Sequence, residues 1–422
     1  MEHGRKRFDG WLAGVCASRV FNGMAFMTYA AAMPVLKDEW GMTAAEAGTV
    51  ASGFQIGYAV SLVVCSALAD RVSPKAVYLW SMFAAGVSAL AFAMLARDFV
   101  SAAVLNTAVG VSLGGTYTTG LMILAGRYPS RARGMAVGYF IASTSCGYAC
   151  SLLISGAAIP VGGYRLAFLL TGLGPALGWA LAAITLRATR VAAAGRRPGR
   201  RFTRDVLANR PAMLLIGGYT CHNWELLGMW AWTPAFMAAC LGMAGAGRVD
   251  AAGSGAYVAA LFHAVGMLAS FSMGALSDRL DRARVMTALA AVSTACSFAF
   301  GWMLAWPVAL VIAAGMLYAF AALGDSPILS AALSESVHEA YLGAALGLRS
   351  LVGFGAAALA PVAFGLVLDH TNPTEAGGRV YLAWGWAYST LGVGGIGATW
   401  AAWRYGRRRP AATAAARRPT GP

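Results

Sequence analysis

Arg19, Asp325 and Arg349 lie inside stretches that are otherwise apolar and long enough to cross a bilayer. A charge at the centre of a membrane helix costs about 2.5–3.5 kcal/mol or more on insertion scales, so each invites a chemical explanation. At about 1.5 Å of rise per residue, Arg19 lies about 12 Å beyond Trp11, Arg349 about 13 Å beyond Ala340 and Asp325 about 13 Å from Ser334. The three reach a similar depth measured from one edge. Arginine stays ionised in almost any environment, and its planar fork suits carboxylate or phosphate. Two guanidinium groups facing one cavity would bind a small organic anion. Alternatively each pairs with a buried carboxylate, for instance Arg349 with Asp325. The two readings coexist if a solute displaces an internal partner.

His222 and Glu225 stand three residues apart, on one helical face in mid-span. A buried carboxylate and an imidazole can load and release a proton near neutral pH, with Asp325 a third candidate for that role. The structural alternative is a satisfied pair, or Glu225 neutralising Arg19. Gln55 precedes Asp70 by the same fifteen residues that separate His263 from Asp278. Both could touch a solute or join helices. Asn22, Tyr117 and Tyr219 are weaker lining candidates, as are Tyr29 and Ser143, whereas Trp224, Trp230 and Trp232 read as packing or interface anchors.

No enzyme constellation accompanies these residues: HExxH, GxSxG and multi-carboxylate clusters are absent from the sequence. The seven cysteines all lie in apolar segments without metal-ligand spacing, and neither a metal nor another cofactor is expected. Gly-rich stretches such as 110–120 and 343–355 lack the G-K-[ST] ending of a phosphate loop and read as close helix packing in lipid.

The elements that must position these residues are membrane spans. The chain has 422 residues, 59% hydrophobic and only 12% charged, with a mean hydropathy of +0.62. Soluble chains carry about 25% charged residues, so most of this surface faces lipid. Breaks at charged and Gly/Pro-bearing positions divide the chain into twelve spans: 11–34, 47–69, 76–96, 99–126, 134–157, 166–187, 212–241, 254–277, 284–305, 307–333, 341–368 and 380–403. The predicted organisation is a six-helix bundle over 1–188, a basic linker over 189–210, a second six-helix bundle over 211–404 and a disordered tail over 405–422. Arg5, Lys6 and Arg7 ahead of an apolar stretch imitate a signal peptide, but that stretch is long enough to span and is expected to be retained as helix 1.

The formal net charge of +15 is a matter of topology rather than of nucleic-acid binding. Arg71, Lys75, Arg127, Arg131, Arg133, the linker arginines, Arg279, Arg282 and Arg284 fall on one side. The alternate loops carry scattered cations such as Lys37, Arg97, Arg165 and Arg248. The positive-inside bias puts both termini in the cytoplasm.

The chain also repeats itself. Ala67-Leu68-Ala69-Asp70-Arg71, with Lys75 beyond, closes span two; Gly274-Ala275-Leu276-Ser277-Asp278-Arg279, with Arg282 and Arg284 beyond, closes span eight. Two copies in register resemble the G-x-L-x-D-R-x-G-R-K loop of the major facilitator superfamily. Ser66, Ser73-Pro74 and Asp281 depart from it. An Asp at a helix end followed by Arg can link neighbouring helices by charge-assisted hydrogen bonds, so Asp70, Arg71, Asp278 and Arg279 are expected to form conformational latches.

The resemblance implies an all-α membrane protein with twelve transmembrane helices in two pseudo-symmetric six-helix bundles. It implies a monomeric secondary transporter of the inner membrane that alternates access to a site near the midplane, lined by helices 1, 4, 7 and 10. The expected partners are the lipid bilayer, a small anionic solute and protons or another coupling ion. Within that family, Asn106 stands where many proton-driven members have an Arg in helix 4, and Ser151 and Leu152 break the helix-5 pattern of drug exporters. An Arg in helix 1 is similar to organophosphate exchangers and a cation in helix 11 to oxalate/formate-type carriers. A proton-coupled carrier of a carboxylate-like anion is therefore expected. The alternatives are efflux of drugs or hydrophobic metabolites, and organophosphate or inorganic-anion exchange.

Overall fold

Local signals in the chain start several helices of the computed structural model, which describes residues 9–189, 206–373 and 380–408. Asp9 caps α1 (Gly10–Gly23) by accepting from the Leu12 amide. Reciprocal capping boxes open α3 (Ala44–Arg71) at Thr43 and Glu46 and α5 (Phe99–Arg127) at Asp98 and Ser101. Pro74 begins α4 (Pro74–Leu95), where its missing N–H leaves nothing unsatisfied. The remaining helices are α2 (Thr28–Glu39), α6 (Ser130–Leu186), α7 (Arg210–Met243), α8 (Arg248–Arg279), α9 (Arg282–Phe300), α10 (Val308–Gly324), α11 (Ser326–Ser336), α12 (Glu339–Ala357), α13 (Ala360–Thr371) and α14 (Gly385–Arg408). A short 3₁₀ turn, Gly301–Met303, follows α9.

These elements make the expected twelve crossings. Nine described stretches are long and apolar enough to span by themselves. Of these, α6 covers two crossings, because its helix is interrupted at Gly162 and Gly163, the latter at φ +65°, a conformation open to glycine. The first crossing is split into α1 and α2 around Met24–Met27, the tenth into α10 and α11 at Asp325, and the eleventh into α12 and α13 at Ala358 and Leu359. The twelfth is α14, which ends in arginines. It runs to Arg408, past the expected boundary at 404, because Tyr405 is still buried in the core of its bundle. The rest of the tail, and most of the linker, lie outside the described residues.

The chain divides into two compact units: Met1–Arg197 with Ala231–Ala264, and Pro198–Trp230 with Val265–Pro422. These units do not follow the expected boundaries: the second part of α7 and the first part of α8 group with the first unit, and the division falls at 197/198, inside the expected linker. In the first unit α1 packs on α6, α3 on α5 and α4 on both α5 and α6. Its core includes Val15, Tyr78, Met82, Phe140 and Leu186. Gly110 allows the close approach of α5 to α3, since a Cβ there would collide with the backbone of Phe54. In the second unit α9 packs on α14, over a core containing Ile216, Met286, Ile328 and Leu333. Trp80, Val104, Leu268, Phe271 and Val393 project outward, more than 60% exposed. Such faces suit lipid, since soluble monomers rarely expose apolar surface on this scale.

Candidate functional site

The breaks in helices 1 and 10 place the interior charges. In the first unit, α1 carries Arg19 and Asn22 one turn apart, just before the chain leaves helical geometry at Met24. Groups freed by the break find partners on α6: the Met27 amide donates to Ser151 Oγ at 3.2 Å, and the Thr28 hydroxyl donates to Thr171 Oγ1 at 2.9 Å. Interrupted backbone inside a membrane protein is tolerated where neighbouring side chains satisfy it in this way.

Arg19 is 3% exposed. Its Nε donates to Thr144 Oγ1 at 2.8 Å and its Nη1 to Thr116 Oγ1 at 2.5 Å. The guanidinium lies over the Phe140 ring, 5.1 Å from its centroid, and 5.8 Å from that of Tyr117. No carboxylate among the described residues comes within ion-pair distance of it. Asn22 Nδ2 donates to Thr116 at 3.1 Å, while the buried oxygens of Asn22 and Gln55 accept no hydrogen bond. Beyond the break, Phe26 stacks on Tyr148 at 4.2 Å and meets Phe54 edge-on at 4.8 Å. Buried His263 lies edge-on to Tyr148, ring centroids 6.2 Å apart.

In the second unit the break at Asp325 has a covalent cause. Pro327 has no amide proton to offer the Leu323 carbonyl, and its ring obstructs the preceding turn. That carbonyl accepts instead from Ser270 Oγ of α8 at 3.0 Å. The interruption holds Asp325 and Ser326 at a helix junction, where His222 of α7 is clamped between them. Its Nδ1 lies 3.1 Å from Asp325 Oδ1, and its Nε2 is 2.8 Å from Ser326 Oγ.

Arg349 of α12 meets the same half-helix one turn on: its Nη1 donates to Ser330 Oγ at 2.7 Å. Its guanidinium lies 4.1 Å from the centroid of Tyr219, and its Nε has no partner. The predicted alternative pair of Arg349 with Asp325 is not formed, since Asp325 faces His222. Arg349, like Arg19, has no carboxylate within ion-pair distance among the described residues.

Glu225 lies on the same face of α7 as His222 but turns to α9. Its Oε1 accepts from Ser293 at 2.6 Å and from Ser297 at 2.7 Å, and Ser297 also lies 2.6 Å from the Tyr318 hydroxyl. The partners of its Oε1 are hydroxyls of its own unit.

At the second signature loop, Asp278 pairs with Arg282 at 2.6 Å rather than with Arg279, and Arg282 also reaches Glu335 at 3.0 Å. Arg282 stands four residues after Asp278, in the first turn of α9, where its fork reaches α8 and α11 together. Asp70 and Arg71 are exposed at the end of α3 and make no ion pair with described residues.

The charges are legible in the sequence; their partners are not. Thr116, Thr144, Ser293, Ser297, Ser326, Ser330 and Asn223 read as ordinary small or polar residues in membrane helices. Ser293/Ser297 and Ser326/Ser330 do recur one turn apart, the sole signal available, and small-residue packing produces the same spacing.

Helical crossings that are interrupted where interior charges sit, with a loop signature present in two copies, define a multi-pass membrane protein of a recognisable family. Residues 15–361 match the Major Facilitator Superfamily, and the chain belongs to it. Among its curated relatives, the niacin transporter NiaP of Acinetobacter baylyi is 29% identical over 170 residues, covering 39% of this chain and 36% of that protein. The probable sulfoacetate transporter SauU of Cupriavidus necator is 25% identical over 377 residues, 81% of this chain and 83% of the relative. The first relative is thus matched over about a third of its own length. Among solved structures, a bacterial homolog of the human lysosomal transporter Spinster, inward-facing and occupied, superposes with a TM-score of 0.74 at 17% identity. That likeness covers 96% of this chain and 98% of the other, and it concerns the fold alone.

Proposed function

We propose that this protein is a secondary transporter that carries a small organic anion bearing a carboxylate across the inner membrane by alternating access, driven by protons. One observation carries the reading: each unit buries a guanidinium group held only by hydroxyls and aromatic rings, with no carboxylate beside it. A buried charge without a counter-charge is costly, and a bound anion supplies one. A lipophilic cation at either arginine would meet like charge in a medium of low dielectric, which weighs against drug efflux. The solutes named for the two relatives, niacin and sulfoacetate, are both organic acids, and this supports the same class.

Glu225, His222 and Asp325 are the groups proposed to carry the proton. Hydroxyls donate or accept as they rotate, so Ser293 and Ser297 can solvate Glu225 both ionised and protonated without rearrangement. His222 between Asp325 and Ser326 can likewise change its proton with a partner on each ring nitrogen.

Reconstituted vesicles test the proposal. With an inward proton gradient, the wild type should accumulate a radiolabelled monocarboxylate, and Arg19→Ala and Arg349→Ala should each reduce the initial rate about tenfold or more, the loss of at least one charge-assisted contact. Intact transport in both variants would refute the anion site. Glu225→Gln should retain exchange but lose accumulation against a gradient; normal accumulation with normal pH dependence would remove Glu225 from the coupling.

A further inference from the structure

Among the described residues of the second unit, three buried nitrogen donors have no partner: Arg282 Nε at the signature loop and, on α7 and α12, Asn223 Nδ2 and Arg349 Nε. Asn223 is 3% exposed and Arg349 9%. A buried donor left without an acceptor is destabilising and uncommon, so two on facing helices call for a common cause.

They are brought together by a two-by-two lattice. Tyr219 and Asn223 lie one turn apart on α7, and Arg349 and Gly353 lie one turn apart on α12. The Arg349 guanidinium rests on the Tyr219 ring. Opposite Gly353, a Cβ would come within 2.8 Å of two Tyr219 ring carbons and 2.9 Å of Asn223 Nδ2. The missing side chain at 353 therefore lets the ring and the carboxamide reach α12, one turn from the arginine.

We infer that Asn223 is a specificity-determining residue: its amide N–H and the Nε–H of Arg349 together hold one carboxylate of the solute, on either side of the Tyr219 ring. This deepens the anion reading above and rests on it. The charges nearby set the class of solute. Arg349 contributes one positive charge that no carboxylate balances, Asn223 is neutral, and Asp325 is already opposite His222. One negative charge over two coplanar oxygens matches this pair of donors. At this pair of donors a phosphate dianion would leave a second charge unmatched, so the pair suits a carboxylate group rather than a phosphate group.

The test is a binding titration by intrinsic tryptophan fluorescence on the full-length detergent-purified protein, with nicotinate, 4-hydroxybenzoate, galacturonate and glycerol 3-phosphate as probes. The wild type should bind at least one of the three carboxylates and not the phosphate. For that carboxylate, Asn223→Ala should weaken affinity about 10- to 100-fold, the worth of a hydrogen bond to a charged group. Asn223→Asp, nearly isosteric but without the donor and with added negative charge, should abolish binding. Gly353→Ala leaves every hydrogen-bonding atom in place but displaces Tyr219 and Asn223, and should weaken binding as well. Monodispersity and an unchanged melting temperature in at least one of these variants show that it is folded.

The outcomes separate the two levels. Loss of carboxylate binding in Arg349→Ala, with wild-type affinity in folded Asn223→Ala, Asn223→Asp or Gly353→Ala, overturns the role of Asn223 and leaves the anion reading standing. A wild type that binds none of the carboxylates overturns both. Preferential binding of glycerol 3-phosphate overturns the carboxylate assignment alone.

Discussion

Single residues set the surroundings of the interior charges, and here those surroundings are hydroxyls. Thr116 and Thr144 orient the Arg19 fork without neutralising it, and Ser330 does the same for Arg349. A threonine costs little to insert in a membrane helix, because its hydroxyl returns to the preceding turn, as Thr144 does to the Phe140 carbonyl at 3.2 Å. Outside the spans a different residue pair ties helix ends together. Asp9 at the start of α1 accepts from the Tyr128 hydroxyl beyond α5, and next to it Trp11 Nε1 donates to Thr189 Oγ1 at 2.9 Å. The Tyr128 hydrogen bond, helped by the Leu12 amide and the charge of Arg127, holds the Asp9 carboxyl below its ordinary range. Its stabilising contribution is therefore complete above the unfolded carboxylate value and is lost as pH falls through the lower folded one. Tyr128→Phe should lower the melting temperature at neutral pH and flatten its decline on the acid side. An unchanged decline in a pH series of melting curves would show that Asp9 is not a source of it.

At the scale of elements, the interrupted helices hold the groups proposed to act. A continuous helix 10 would engage every backbone group and carry Asp325 past its junction. Pro327 prevents this, and Ser270 accepts the consequence by donating to the Leu323 carbonyl. Pro327→Ala should restore the turn and relieve the steric cost of an interior proline, raising the melting temperature. It should also slow transport several-fold, because Asp325 and Ser326 would leave His222. Equal stability and full transport would mean that the junction is set elsewhere. Ser270→Ala, which leaves a buried carbonyl unsatisfied, should cost about 1–3 kcal/mol in denaturation experiments. The contrast between the two variants separates the break from its repair.

For the whole molecule, the proposed orientation places the arginine-rich loops in the cytoplasm, where the charge bias of short loops puts them. Arg248, at the start of α8, is 77% exposed on the opposite set of loops, and Arg71 is exposed at the end of α3. On a cysteine-free background in right-side-out vesicles, Arg248→Cys should react with a membrane-impermeant maleimide and Arg71→Cys should not until the membrane is opened. The reverse pattern would invert the topology and, with it, the direction of the proposed proton-driven transport.

The sequence determined the lipid environment, the twelve crossings, the duplication and the identity of the buried charges. These follow from hydropathy over about 20 residues, from loop charge and from a short signature in two copies, all local along the chain. The same arithmetic is the ground for expecting Arg19, Asp325 and Arg349 at one depth, since helical rise converts residue number into distance. Only the tertiary structure decided what each charge faces. Whether Asp325 meets Arg349 or His222, whether Glu225 meets a cation or Ser293, and whether Asn223 stands beside Arg349 depend on how helices far apart in sequence rotate about their axes and approach. That rotation is set by close contacts such as Gly353 against Tyr219, and by breaks such as the one at Pro327. Neither has a periodicity that a single chain reveals before it folds.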